Sequence, residues 1–380
     1  LANQDISSSQ PGKQAVNTYT IGFATNQTLL QNTANAGNGR YFTTSNTSGL
    51  VDALKSILVE ILAENTTFAT PSVAVSAYNN LGYRNDLYYA LFRPAEGTRW
   101  VGNVKRYRAE TTTDANGNSI TQIVDKNGQP AIDESTGFFR DNSSSYWSSA
   151  DGRDVEKGGI AGTLSDPDAR KIYTWTAADR SPSTSTNSIT LSSQLSTDNN
   201  DLTQSLLGVN SNDARTKAIQ WGRGQNPDNP SQARLQLADV LHNEPRLVAY
   251  TTDEDLERAS TTVSPEQLYM FFGTNEGFIH AVDPSDGSEK FAFIPKELLP
   301  NLNAYYQDLK GSDQKHYGMD GQFNLWVEYG DLDTTAKTRS ITKSYLYAGM
   351  RRGGKNYYAL DATNIDQPAL KWAIKGGVTP

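Results

Sequence analysis

Two similar stretches, 76 to 78 residues apart, constrain the fold of this chain more than any other feature. The first, residues 268–294, contains "LYMFFG", "FIHAVD" and "SEKFAFI", and the second, residues 345–374, contains "YLYAG", "NYYALD" and "ALKWAI". The corresponding residues are Gly273 and Gly349, Ala281 and Ala359, and Asp283 and Asp361. Each copy predicts three short strands. Repeated β-units that cannot bury their own faces must stack on their neighbours, and the repeat therefore predicts a propeller.

The length of the repeat predicts a further blade between the copies. An ordinary blade takes roughly 40–50 residues, so a period near 77 leaves room for one more unit, which we expect at residues 321–331, "GQFNLWVEYGD". A fainter copy lies at residues 87–100, "LYYALFRPAEGTRW", where Ala90 corresponds to Ala281.

The composition favours a β-rich protein with many turns. Hydrophobic residues make up 36% of the chain and aromatic residues 10%, with 19 tyrosines. Aromatic residues at that level can build a core, which argues against disorder. Two insertions stand out from the repeats. Residues 114–139 carry Asn-Gly turn signals and predict a hairpin, and residues 178–204 predict an exposed polar loop.

The first part of the chain has a different pattern. Residues 16–24, "VNTYTIGFA", alternate as a buried strand does, and residues 48–65, "SGLVDALKSILVEILAEN", carry a helical apolar face. We therefore predict a boundary near residue 68, with one unit over 1–68 and a second over 69–380. The start, "LANQDISSSQ", has neither an initiator Met nor a signal pattern, so we expect a fragment or a mature segment.

Charge and cysteine content exclude several classes of function. The net charge is −8 and the isoelectric point is near 5.1, so no basic patch is available for the phosphates of a nucleic acid. The absence of cysteine excludes disulfides, thiolate catalysis and zinc–sulfur sites. No stretch reaches the roughly 18 apolar residues of a membrane-spanning helix.

Four blocks resemble the PilY/PilC family of type IV pilus proteins in order and spacing. They are "ADVLHNEPRLVAY" (238–250), "FFGTNEGFIHAVDPSDGSEKFAFIPKELLPNL" (271–302), "HYGMDGQF" (316–323) and "YAGMRRGGKNYYALDAT" (347–363). The resemblance implies a mainly β fold: a modified seven-bladed β-propeller, incomplete in this chain and truncated at its C-terminal end. It also implies that residues 1–68 are the α/β end of a von Willebrand A-like domain, with a linker.

The same resemblance implies a function without catalysis. Such a protein supports type IV pilus biogenesis, surface attachment and twitching motility, as a tip-associated adhesin of the fimbrium. Its implied partners are minor pilins at the pilus tip and a host-cell or abiotic surface ligand. Its implied location is the surface of a Gram-negative bacterium, after export through the periplasm and the outer membrane. No nucleic acid, membrane span or organic cofactor is expected.

Family members carry a calcium loop of the form D-x-D-x-D-x-x-x-D, in which oxygen ligands converge on a hard cation. This chain has no such run. The metal-ligand candidates are Asp114, Asn116, Asn118 and Asp125, at offsets like those of an EF-hand but without its Gly and its terminal Glu. A solvated hairpin tip is the alternative interpretation. "DISSS" (5–9) matches the D-x-S-x-S loop of A-type domains, but no apolar strand precedes it, and we interpret it as a chance match.

The remaining polar motifs predict structural roles. His242, His280 and His316 have no metal-ligand spacing, and the alternation around His280 predicts that it faces inward. Asp283 and Asp361 precede turns, where a carboxylate accepts a backbone N–H. "RRGGK" (351–355) predicts a glycine turn between strands rather than a phosphate cradle, because no helix follows it.

Two alternatives remain open at this point. "GTNEG…HAVDPSDG" also resembles the propeller of quinoprotein dehydrogenases, which bind pyrroloquinoline quinone with calcium. The absence of cysteine and of a recognisable central acidic cluster argues against that enzyme. The second alternative is a carbohydrate- or matrix-binding adhesin with no part in pilus assembly.

Overall fold

The structure is a computed structural model of the 380-residue chain. It describes residues 16–65, 68–73, 85–113, 117–133, 138–149, 151–178, 187–253, 267–311 and 315–377. Among these residues, no helix is both long enough and apolar enough to cross a bilayer.

The N-terminal residues form two parallel strands and two helices. The elements are β1 (Thr20–Phe23), α1 (Thr28–Ala36), β2 (Tyr41–Thr44) and α2 (Thr47–Asn65). Strands β1 and β2 pair in parallel, which requires a crossover connection, and α1 supplies it. The strand and the helix expected from the sequence are both present.

The first four-stranded unit, blade A, is an antiparallel meander. It comprises β3 (Phe68–Val73), β4 (Asp86–Arg93), β5 (Val101–Thr113) and β6 (Ser119–Val124). The fainter copy expected at residues 87–100 is therefore a real strand pair, in which Ala90 lies opposite Val104. The division of the chain into 1–68 and 69–380 stays a prediction.

The two strong copies of the repeat form blades B and C. Blade B comprises β12 (Arg246–Asp253), β13 (Gln267–Gly273), β14 (Ile279–Val282) and β15 (Glu289–Phe293). Blade C comprises β16 (Asn324–Tyr329), β17 (Thr338–Gly349), β18 (Tyr357–Asp361) and β19 (Ala369–Ile374).

The pairing register of the two blades is the same, which confirms the repeat. Ala281 lies opposite Phe271 in blade B, and Ala359 lies opposite Tyr347 in blade C. In both blades the register shifts immediately after that alanine. The copies are thus equivalent in hydrogen bonding as well as in sequence.

The expected extra blade at residues 321–331 is wrong. β16 lies within that stretch and pairs with β17 over six positions, so it is the first strand of blade C. The long period comes instead from an insertion between β15 and β16, which contains a 3-10 turn and helix α5 (Leu299–Gln307). Each copy consequently has four strands rather than three.

A second insertion, between β6 and β12, packs against the blades. It contains α3 (Gly159–Thr163), β7 (Ile172–Tyr173), β8 (Ile189–Thr190), α4 (Asn212–Arg223), β9 (Gln225–Asn226), β10 (Asn229–Ala233) and β11 (Leu237–Ala238). β7 extends blade B, β8 extends blade C and β11 pairs with β5 of blade A. The expectation of an exposed loop over 178–204 is wrong for its described part, because Leu191, Leu195 and Leu202 are buried in the core.

The blades stack in chain order and bury their faces against one another. One cluster joins blade A to blade B, and a larger cluster joins blade B to blade C. At their outer ends, β12 of blade B and β17 of blade C also pair directly. Three stacked four-stranded antiparallel blades make a mainly β, incomplete β-propeller, which confirms the predicted fold class.

Candidate functional site

The four blocks that resemble the pilus family converge on one buried polar region. We call it the block junction and define it as residues 238–243, 273–277, 315–323 and 349–354. The first range precedes β12, the second follows β13, the third precedes β16, and the fourth follows β17. The same turn of each repeat thus meets the segments that lead into the blades.

Two asparagines connect three of these ranges. The Asn243 side chain accepts a hydrogen bond from the Gly273 amide at 2.8 Å and donates to the Gly321 carbonyl. The Asn275 side chain donates to Asp239 Oδ1 and accepts from the Gly318 amide at 3.2 Å. Both amide groups use their donor and acceptor ends, which satisfies buried backbone groups that no strand reaches.

Lys315 supplies the positive charge of the junction. Its ammonium group forms an ion pair with Asp239 Oδ2, which has no exposed surface. The ammonium also lies 4.7 Å from the centre of the Trp100 ring and 5.4 Å from that of Tyr305. Burial lowers the pKa of Lys315, and the Asp239 charge opposes that effect. Charge pairing and aromatic faces together compensate the desolvation of the ammonium.

A second buried carboxylate, Glu276, is held from the other side by the insertion. It accepts a hydrogen bond from the indole N–H of Trp221 on α4 and forms an ion pair with Arg234 at 3.3 Å. The Arg234 guanidinium stacks 3.8 Å from the Trp221 ring centre, and that of Arg99 lies 4.3 Å from it. α4 is thereby anchored to the block junction.

The only junction group that reaches a sizeable pocket among those described so far is His242, on the solvent side. Its Nδ1 lies 2.8 Å from Asp320 Oδ1, and the Asp320 side chain is fully buried. Arg351 lies 3.8 Å from Asp320 Oδ2, which has no hydrogen-bond partner. The pocket measures about 390 Å³, and its lining residues are Val240, Leu241, His242, Asn243, Glu244, Gln322 and Arg351.

This geometry limits the chemistry that the pocket offers. A carboxylate that accepts from Nδ1 fixes the orientation of the imidazole and leaves Nε2 as the other polar atom of the ring. Nucleophilic catalysis requires a hydroxyl or thiol in contact with such a base, and neither Ser, Thr nor Cys is among the lining residues. Among the described residues, no three His, Cys, Asp or Glu side chains are grouped as metal ligands.

The structure does not bring the described calcium candidates together. Asp114 and Asn116 lie outside the described residues. Asn118 precedes β6 and Asp125 follows it, so the strand separates them by about 20 Å. The Asp125 carboxylate accepts from the amides of Asn127, Gln129 and Ser144 at 2.8–3.0 Å. Calcium binding therefore stays a prediction that rests on the family resemblance.

The other predicted roles can be compared directly with the structure. His280 is buried, stacks on Phe272 and contacts Glu289 at 2.8 Å, as expected for an inward-facing residue. Asp283 accepts from the Ser285 amide and Asp361 from the Thr363 amide, so both hold turns. "RRGGK" forms a 3-10 turn between β17 and β18, also as predicted. "DISSS" lies outside the described residues.

Sequence reasoning missed Asn243, Asn275 and Lys315 as members of one network. Their only signal was that each lies within or next to one of the four blocks, since single polar residues in turns carry no pairing information. The long separations along the chain, 36 residues between Asp239 and Asn275 and 76 between Asp239 and Lys315, put these contacts beyond any local pattern.

The fold and the junction define the class of protein as a blade-repeat scaffold, and comparison with known proteins gives the family. The chain is 26% identical over 356 residues to "Type IV pilus biogenesis factor PilY1" of Pseudomonas aeruginosa (strain UCBPP-PA14). That match covers 88% of this chain and 26% of the relative. The PilY1 homolog of Xylella fastidiosa (strain Temecula1 / ATCC 700964) is 27% identical over 168 residues, or 40% of this chain and 13% of the relative.

The chain is a relative of the PilY1 pilus biogenesis factors, which confirms the family predicted from the four blocks. No family model matches the sequence, and no solved structure matches it. The chain spans about a quarter of the length of the first relative and about an eighth of the second.

Proposed function

We propose that the chain serves type IV pilus biogenesis as a non-catalytic propeller scaffold. One observation carries the proposal: the four blocks that the chain shares with the pilus family build an internal network, in which the polar side chains bond mainly to one another and to the backbone. Groups that are committed in this way position blades and leave little for a reaction.

The partners that fit this function are the minor pilins of the pilus tip. We propose further that the chain supports pilus extension, attachment to a host-cell or abiotic surface, and twitching motility, at the surface of a Gram-negative bacterium. The support for these finer statements is the similarity to PilY1 factors over most of the chain. The acidic, polar composition suits an exported surface protein. Calcium is a proposed ligand on the family resemblance alone.

The test is deletion of the gene in its source organism, with complementation from a plasmid. The expected result is a large loss of surface pili, counted by electron microscopy and by sheared pilin, which the wild-type gene restores. Deletion that leaves pili, twitching and attachment intact would contradict the proposal. Loss of attachment with normal pilus numbers would instead favour an adhesin without a role in assembly.

The enzyme alternative has its own assay. The purified protein is incubated with pyrroloquinoline quinone and calcium, and alcohol-dependent dye reduction is measured. Under the scaffold proposal, the rate equals that of a blank containing quinone and calcium without protein. A rate that rises with protein concentration would make the chain a quinoprotein.

A further inference from the structure

The outer face of blade C is an exposed aromatic sheet surface. Trp326 on β16 lies opposite Tyr345 on β17, and Tyr347 follows two positions along the same strand. Tyr357 lies opposite Gly349 on one side and Ile374 on the other, while Trp372 lies opposite Ala359. The blade C face is the set Trp326, Tyr345, Tyr347, Tyr357, Trp372 and Ile374. Trp326 is 54% exposed, Tyr357 59% and Ile374 41%.

The equivalent face of blade B is completely covered. The shared register identifies its residues as Val248, Tyr269, Phe271, Ile279, Phe291 and Phe293. Each of these side chains is no more than 4% exposed. Two faces of the same design therefore differ only in whether something lies against them.

The structure shows what lies against such a face in blade B. The larger core cluster combines Phe271, Ala281 and Phe291 with the aliphatic inner side of blade C, which consists of Leu346, Ala348, Leu360 and Leu370. Phe293 of blade B also contacts Tyr358 of blade C, with ring centres 6.3 Å apart.

Blade A repeats this arrangement. Its Ala90 corresponds to Ala281 and Ala359, and the Ala90 face shares a cluster with Met270, Phe272 and Val282 of blade B. At two successive positions, then, the alanine-bearing face of one blade is covered by the opposite face of the next. The blade C face continues that series.

The charges on the blade C face are already neutralised within it. Lys343 forms an ion pair with Glu328 at 2.6 Å, and the Lys371 ammonium lies 4.4 Å from the Tyr345 ring centre. Gly349 leaves room for the Tyr357 ring, since a β-carbon at Gly349 would come within 2.9 Å of it. The surface is flat, aromatic and without excess charge, which suits an apolar sheet rather than a charged ligand.

We propose that the blade C face is an interface for a further four-stranded antiparallel β-meander, whose facing side chains are aliphatic like Leu346, Ala348 and Leu360. The proposal depends on the internal stacking of the blades and is independent of the pilus function.

Hydroxyl-radical footprinting with mass spectrometry tests this interface. Oxidation rates of Trp326 and Tyr357 are measured in the 380-residue chain alone and in the protein isolated from its source with its associated material. The expected result is a rate at least about tenfold lower in the native material, because sheet packing excludes water. Phe23, which is 51% exposed on β1, is the control and keeps its rate. Equal rates at Trp326 and Tyr357 in both samples would overturn the proposal.

A charge placed on the face provides a second reading. Trp326→Lys alters an exposed side chain, so we expect the isolated chain to fold normally. In the native material it should restore fast oxidation of Tyr357, whereas Phe23→Lys should not. Cross-linking in the native sample then identifies the occupant, and we expect peptides of an alternating aliphatic strand. Cross-links only between two copies of the blade C face, or to a helical partner, would refute the proposed occupant.

Discussion

At the scale of single residues, the chain buries an unusual number of polar side chains and satisfies them in pairs. Glu289 is the strongest case. It is nearly enclosed, receives two hydrogen bonds from Arg170 at 2.7 and 3.0 Å, and contacts His280 at 2.8 Å. Burial alone would raise the pKa of Glu289, but Arg170 and His280 outweigh it and lower that pKa to about 2. The charge is therefore part of the folded state.

The low pKa of Glu289 predicts an acid-dependent loss of stability. An ionised group with a folded pKa below its unfolded pKa of 4.5 stabilises the fold above that value. This contribution falls as the pH drops from about 4.5 to about 2 and is on the order of 3 kcal/mol in total. Urea unfolding of wild type and Glu289→Gln at several pH values measures it, and the variant should be less stable at pH 7 but show a shallower slope.

The matched control for this prediction is Glu328→Gln. Glu328 pairs with Lys343 at the surface, where solvent screens the pair. Its variant should keep the wild-type slope. A Glu289→Gln slope indistinguishable from that of wild type would show that Glu289 does not carry the acid response.

At the scale of elements, local patterns predicted the strands of the repeat and helix α2, and they failed where pairing is remote. β16 was recognisable as a strand, but nothing within residues 321–331 indicates that it pairs with β17 rather than forming its own blade. Helix α4 was missed although its ends carry signals: Ser211 precedes it and Gly224 follows it with φ +87°. The polar composition of its surroundings concealed a helix whose buried side includes Ala218, Ile219 and Trp221.

The N-cap of α4 provides a prediction at this scale. The Ser211 hydroxyl accepts from the Ala214 amide at 3.1 Å. Ser211→Ala should lower the free energy of unfolding by about 1 kcal/mol, because a helix N–H loses its partner. Ser211→Asp restores an acceptor and should be close to wild type. Thermal or urea unfolding measures both, and equal destabilisation by Ala and Asp would contradict a capping role.

At the scale of the whole molecule, the sequence predicted the family and a propeller fold, whereas the contacts of the candidate site could not be derived from it. The block junction exists because turns from two repeats and two connecting segments meet in space. Residues such as Asp239 and Lys315 find each other only after the blades have stacked. Our central claim follows from this arrangement: the blocks that the chain shares with its relatives hold the blades together, and pilus biogenesis depends on the folded scaffold rather than on a reaction at the His242 pocket.

The measurement that tests this claim most directly is piliation of the deletion strain complemented with His242→Gln. The glutamine amide can donate to Asp320 Oδ1 in place of the ring Nδ1, but it cannot act as a base or a metal ligand. Provided that the variant is folded, as shown by its unfolding midpoint and its amount in the cell, the account predicts surface pili at the wild-type level. Asp320→Ala, which removes the buried partner, should lose folded protein and pili together. Folded His242→Gln protein at the wild-type amount, with pili reduced tenfold or more, would contradict the claim.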